Sequence, residues 1–278
     1  EYEGTRDINA VLTTRVEGGN PPDIAGLPGP GQMATFAEQG DLVDLSTFFD
    51  MERLQSEYAQ GWIDLATVDG ELSGVFIKAS PKSYVWYSPP EFDEAGYEIP
   101  ESWDEMISLS DQIVEDGTTP WCIGLESGAA SGWPGTDWIE DIMLRTAGPE
   151  VYDQWVNHEI AWTSDPVRNA WETWGTIVTN PDYINGGTTA MLATNFAESV
   201  YPLMQDPPGC YMHRQATFIQ DTIAEQFPEA VAEEDYNLFG FPPIEEEYGT
   251  PLLSSGDLFG MFNDTPAARS LMEWLASA

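Results

Sequence analysis

Gly18-Gly19-Asn20-Pro21-Pro22-Asp23-Ile24-Ala25-Gly26-Leu27 decides the fold class. Two glycines, an asparagine and two prolines stop the helix that Ile8, Leu12 and Val16 announce by their spacing over residues 8–17. Asp23 to Leu27 then reads as a short apolar strand. Pro28 to Gly31 reads as a loop, and Met33 to Gln39 as a second helix stopped by Gly40. Helix, strand, loop and helix in so short a stretch is the alternation of an α/β protein.

Further along, Asp69-Gly70 lies between two apolar runs and predicts a hairpin turn. Ser83 to Tyr87 predicts a strand. Ser102, with Glu105 three residues on, is a capping box that opens a helix. Helical spacing continues over 105–115, 136–147, 150–156, 165–178 and 217–227, with a short strand predicted around Ala190-Met191-Leu192 before Asn195. Gly240-Phe241-Pro242-Pro243 and Gly249-Thr250-Pro251 break the pattern. Leu252 to Phe262 is strand-like, and Pro266 to Ala278 is a helix with Leu271, Trp274 and Leu275 on one face. A chain of 278 residues exceeds one ordinary core and predicts two lobes.

Composition excludes whole classes of partner. With 48 acidic and 9 basic residues, the formal charge is -39. Such a surface repels nucleic-acid phosphates and anionic lipid. It reads as the solvated acidic coat of a protein from a salty habitat. The alternative, a calcium surface, needs a D-x-[DN]-x-[DN]-G loop, and none occurs. Lysine is confined to Lys78 and Lys82. Cys122 and Cys210, alone in the chain, fit one disulfide in an oxidising compartment, against two unrelated buried thiols. No apolar run is long enough to span a bilayer. Both ends read as cut from a longer chain, since Glu1 to Gly4 resembles the last residues of a strand and the final helix stops without a Gly or Asn cap.

Several segments in order resemble the solute-binding proteins of carbohydrate ABC importers, the large type that includes maltodextrin-binding protein. They are residues 18–25 with the helix before them, Ala37 to Leu45, Asp69 to Leu72, Tyr84 to Ser88, Glu101 to Glu105, Thr188 to Met191 and Phe262 to Pro266. Gly4 to Asp7, Glu126 to Pro134 and Pro207 to Gln215 resemble the α-glucoside-type subgroup. The first ligand loop, the lipid-anchor cysteine and the last second-lobe segment of such proteins are missing. The resemblance implies an α/β, two-lobed periplasmic-binding-protein fold with a hinge and an inter-lobe ligand cleft. The first lobe would be residues 1–80 with 249–278, the second 83–246, and the crossings would lie near 80–83 and 243–249. It implies a monomer outside the cytoplasmic membrane, periplasmic or lipid-anchored. That monomer would hand a neutral sugar, an α-glucoside above all, to permease subunits without catalysis, cofactor or metal.

Sugar binding needs flat aromatics for the C–H faces of the ring, and charged or amide groups for the hydroxyl rim. Trp133 sits among small residues, Gly128 to Gly135, before a helix that is predicted to start near Asp137; a Trp so placed can lie open to a ligand as a stacking platform, against the alternative of local packing. Glu126, Asp137 and Asn195 are ligand candidates in the same region. Arg214, in the cluster His213-Arg214-Gln215, is a cleft residue or a structural counter-charge. In the first lobe the candidates are Arg6 and Asp7, which could instead form an ion pair at a helix cap, Gln32 in the second loop, and Gly256-Asp257 in a small-residue turn.

Two other classes compete. A glycoside hydrolase would need paired carboxylates across one bond, and among 48 acids pairs such as Glu126 with Asp137 arise by chance. A scaffold protein would need no site at all. No Gly-x-Ser-x-Gly elbow, phosphate loop or Cys/His ligand spacing occurs to support other chemistry.

Overall fold

The computed structural model describes residues 1–5 and 7–277. In chain order the elements are α1 (Ile8–Glu17), β1 (Ile24–Leu27), α2 (Pro30–Glu38), α3 (Met51–Glu57), α4 (Gln60–Leu65), β2 (Thr67–Val68), β3 (Glu71–Leu72) and β4 (Val75–Pro81). Then come β5 (Tyr84–Tyr87), α5 (Pro89–Ala95), α6 (Trp103–Glu115), α7 (Trp133–Thr146), α8 (Gly148–Val156), α9 (Asp165–Val178), α10 (Gly187–Ala193), β6 (His213–Arg214), α11 (Ile219–Gln226) and β7 (Asn237–Gly240). The chain closes with β8 (Ser254–Met261) and α12 (Pro266–Leu275).

It divides into two compact units, Glu1–Ser80 with Ser255–Ala278, and Pro81–Ser254. The second boundary falls past the expected 243–249. Hydrogen bonds hold the intervening residues to the second unit. Lys82 N–H donates to Leu253 O at 2.8 Å, and Glu245 N–H to Arg145 O at 3.1 Å.

In the first unit the sheet runs β1-β8-β4. β1 and β8 are antiparallel, with Ile24 opposite Met261 and Leu27 opposite Leu258. Their inward residues meet Met33 and Phe36 of α2 and Met272 of α12 in one core. Burying each such side chain contributes about 1.5–3 kcal/mol. β2 and β3 form the hairpin predicted at Asp69-Gly70.

In the second unit β6-β5-β7 is antiparallel. Beside it, residues 121–126 make isolated parallel bridges from Trp121 to Ile184 and Met212, and from Glu126 to Asn195. Trp121, Trp138, Ile139, Ile142, Met212 and Phe241 are buried in its main core. A smaller cluster, with Trp86, Val200, Leu203 and Ile223, surrounds a Cys122–Cys210 disulfide. The Cα atoms of that pair lie 5.6 Å apart and 88 residues apart in sequence. Closing so long a loop contributes about 4–5 kcal/mol by chain entropy. The Ser102 cap forms as predicted, its Oγ accepting from Glu105 N–H, while Glu105 Oε2 accepts from Glu101 N–H rather than from Ser102.

The strand predicted around Ala190-Met191-Leu192 is instead α10. Gly186, in the left-handed region at φ 73°, starts it, and only Met191 is buried, so one side of a short helix packs where an apolar run suggested a strand. α7 starts at Trp133, not near Asp137. Gly132 takes φ 100°, open chiefly to glycine, and Pro134 fits a first turn whose N–H groups have no helical acceptor.

Candidate functional site

Two segments of the second unit meet at Glu126. Its N–H donates to Thr194 O at 3.0 Å, and its O accepts from Phe196 N–H at 3.0 Å. Gly124 permits the approach, since a Cβ there would stand 2.8 Å from the carbonyl oxygens of both Thr194 and Asn195. The Glu126 carboxylate is held in place: Gly128 N–H donates to Oε1 at 2.6 Å and Asn195 Nδ2 to Oε2 at 2.7 Å. Asn195 Oδ1 in turn accepts from Ala197 N–H. Bonds to an ionised carboxylate are strong ones, so the Glu126–Asn195 corner is preorganised. Each carboxylate oxygen has more than one acceptor site.

An aromatic surface adjoins it. The Trp133 ring centre lies 5.0 Å from Phe196 and 6.0 Å from Phe218, at inclined angles, and Phe196 lies 6.3 Å from Phe218. All three are half-buried. Gly132 N–H donates to Leu125 O at 2.8 Å, fixing the start of α7 beside Glu126. Flat apolar faces next to anchored oxygen and amide groups can stack a sugar ring and bond its hydroxyls.

Deeper along α7 the polar residues turn inward. Asp137 is buried, and Lys82 Nζ donates to its Oδ1 at 2.6 Å. Lys82 Nζ is also 3.8 Å from Glu140 Oε2. Burial pushes the Glu140 carboxyl up, against the opposing pull of Lys82. One turn on, Asp141 accepts from Ser83 Oγ at 2.8 Å, from Arg214 Nη2 at 2.8 Å and from Arg145 Nη1. Arg145 also donates to Phe241 O and Pro242 O, both at 3.0 Å. Arg214 lies over Trp138, its guanidinium carbon 5.4 Å from the ring centre. His213 is buried and bonded through Nδ1 to Cys122 O at 2.8 Å. Burial, with a smaller contribution from Arg214, pulls its imidazole down to about 4 despite that bond.

The structure therefore brings Glu126, Asn195 and Trp133 together. For two others it favours the structural alternative. Arg214 is a buried counter-charge to Asp141, because desolvating a guanidinium demands a partner at hand. Asp137 is buried inside α7 and paired with Lys82, not at the start of the helix.

In the first unit, Gln32 lies in the first turn of α2 rather than in a loop. Gly256 and Asp257 lie within β8 rather than in a turn; they are past the last β1 pair, Leu27 with Leu258, and Gly256 packs close to Lys78 O of β4. The register sets Asp257 and Gln32 at the same end of the sheet, where β1 finishes. Asp7 is exposed and precedes α1 without capping it. Arg6 lies outside the described residues. Among the described residues no group of acids, His and Cys is arranged to hold a metal ion, and no helix is long and apolar enough to cross a membrane.

Sequence reading missed Phe196, Phe218 and Lys82. Phe196 adjoins Asn195, and Lys82 is one of two lysines, so weak signals existed for both. Nothing local marks Phe218.

A mixed α/β chain in two compact units, with a stacking surface beside anchored polar groups, has the build of a solute receptor. Residues 1–278 match the model of the bacterial extracellular solute-binding proteins, and the chain belongs to that family. It is 50% identical over 277 residues to the osmoprotective compounds-binding protein GgtB of Synechocystis sp., across 100% of this chain and 65% of that one. It is 41% identical over 285 residues to the alpha-glucosides-binding periplasmic protein AglE of Rhizobium meliloti, across 99% of this chain and 61% of that one. The chain thus spans under two thirds of the length of these relatives. Among solved structures, a chitin oligosaccharide binding protein superposes with TM-score 0.81 at 19% identity, over 100% of this chain and 67% of that one. RafE in complex with raffinose does so with TM-score 0.75 at 18% identity, over 99% and 69%. At those identities the likeness is one of fold.

Proposed function

We propose that this chain is the main part of an extracytoplasmic receptor that binds a small neutral glucoside and delivers it, as a monomer, to the permease of an ABC importer. The observation that carries the reading is the Trp133–Phe196–Phe218 surface beside the Glu126–Asn195 pair. An uncharged ligand suits a protein of charge -39, which repels anions. In this reading the Trp133 ring stacks on a pyranose, while Glu126 accepts from its hydroxyls. Asp7, Gln32, Gly256 and Asp257 are proposed as the first unit's ligand contacts, and Arg6 stands with them on sequence alone.

Two ligand classes remain in view. An α-glucoside follows the resemblance at residues 4–7, 126–134 and 207–215 and the name of AglE. An osmoprotective compound follows the name of GgtB, and the acidic coat favours it, since a protein built for high salt works where compatible solutes are needed. Binding is preferred to hydrolysis because Asp137, the second carboxylate a hydrolase would need, is buried on Lys82. Calorimetry against a panel of α-glucosides and neutral osmoprotective solutes, with products assayed alongside, tests the reading. Retention without turnover is expected. Turnover of any glucoside, or binding to none of the panel, overturns it.

A further inference from the structure

Trp133, Asp137, Asp141 and Arg145 follow one another at intervals of four along α7, so they share one stripe of the helix. The far end of that stripe is tied down many times over, by Ser83, Arg214 and the carbonyls of Phe241 and Pro242. The end that carries Trp133 has fewer ties: the backbone bond from Gly132 N–H to Leu125 O and the ring contacts with Phe196 and Phe218. Its cap residue is Gly132, which offers no side chain, and Pro134 has no N–H. Among the described residues, the polar side-chain tie from outside the helix that lies nearest Trp133 is Lys82 on Asp137. Lys82 itself has a fixed base. Its N–H is bonded to Leu253 O, so the segments by which the chain enters and leaves the second unit meet at this residue.

Composition adds an independent indication. A chain with 48 acidic residues keeps two lysines, and one of them is set here with only 15% of its side chain exposed. The Asp137 carboxylate depends on it, for its Oδ2 is buried and unpartnered among the described residues.

We propose that Lys82 is a positioning residue for the ligand surface: through Asp137 it holds the first turns of α7, and hence the Trp133 ring, at the spacing that a sugar ring requires. The ligand half of this rests on the glucoside reading above; the positioning half does not. Three variants separate positioning from mere neutralisation of a buried charge. Lys82→Met removes the tie. Lys82→Arg keeps a donor. The double variant Lys82→Met with Asp137→Asn removes the buried Asp137 charge, leaving only that of Glu140, yet leaves the tie broken.

Amide hydrogen exchange over Thr136 to Glu140 reads the positioning without any ligand. Exchange roughly tenfold faster is expected in Lys82→Met and in the double variant, and near the parent rate in Lys82→Arg. Affinity for whichever panel compound the parent binds should fall roughly tenfold in the same two variants. In a Trp133→Ala background the Lys82 substitution should cost no further affinity. The proposal is overturned if the double variant restores parental exchange, because Lys82 then only balances charge. It is overturned equally if the losses from Lys82 and Trp133 simply add. A parent that binds no panel compound sinks the glucoside reading alone, while the exchange data still decide the role of Lys82.

Discussion

The two ends of α7 use similar chemistry for opposite ends. At its start, Glu126, Asn195 and three aromatic rings are half-buried and meet solvent. At its other end, Asp141, Arg145 and Arg214 with Trp138 and Phe241 are sealed, none of the charged side chains more than 1% exposed. Carboxylate, donor and aromatic recur in both. What differs is access. A sealed polar group can find partners only inside the protein, whereas a half-open one also faces solvent. Residue type alone thus does not distinguish an open surface from a structural knot.

The largest effect should come from opening the knot. Asp141→Asn leaves two buried guanidiniums without their shared counter-charge and should lower stability by about 3–5 kcal/mol, as read by urea unfolding. Such molecules as remain folded should bind ligand as the parent does. A loss of affinity larger than the loss of stability would erase the contrast between the two ends.

The next test uses pH. The folded His213 imidazole is pulled down to about 4, below the ordinary 6.5. The unfolded chain therefore takes up this proton first as pH falls. Stability is at its full value above pH 6.5 and is lost progressively between 6.5 and about 4, by up to about 3 kcal/mol. Calorimetric melting from pH 7 to 4 should show a slope that flattens in His213→Gln. An unchanged slope would mean that acid loss arises elsewhere.

At the open end, Trp133→Ala should remove about 1–3 kcal/mol of binding free energy, roughly tenfold to a hundredfold in affinity, with little change in melting temperature. If stability falls instead, Trp133 belongs with the structural residues and the contrast fails there. The smallest effect concerns the coat that both ends share. Raising salt to about 1 M shortens screening to about 3 Å, so the melting temperature should rise by a few degrees. A fall would count against self-repulsion as a cost of the -39 charge.

Local rules carry much of the fold. The glycines and prolines of 18–22 do end α1 at Glu17, the α9 bounds of 165–178 follow from periodicity, and the Ser102 cap forms. These features depend on contacts within a few residues, which sequence displays. The errors came where distant chain decides. The run at 190–192 is a helix because its buried side is set by Met191 against the core, and Gly256-Asp257 are strand although β1 ends before them, Gly256 lying against β4, 178 residues earlier in the chain at Lys78.

The sequence by itself determined the α/β class, the acidic coat, the helix stops and the pool of residues able to meet a sugar, because these follow from composition and near neighbours. Only the tertiary structure decided which of those residues stand open. Glu126 is held by Asn195, 69 residues away; Asp137 is claimed by Lys82, 55 away; Arg214 by Asp141, 73 away. Such pairings are settled by where the packed core excludes water, and a linear chain does not contain that boundary until it has folded.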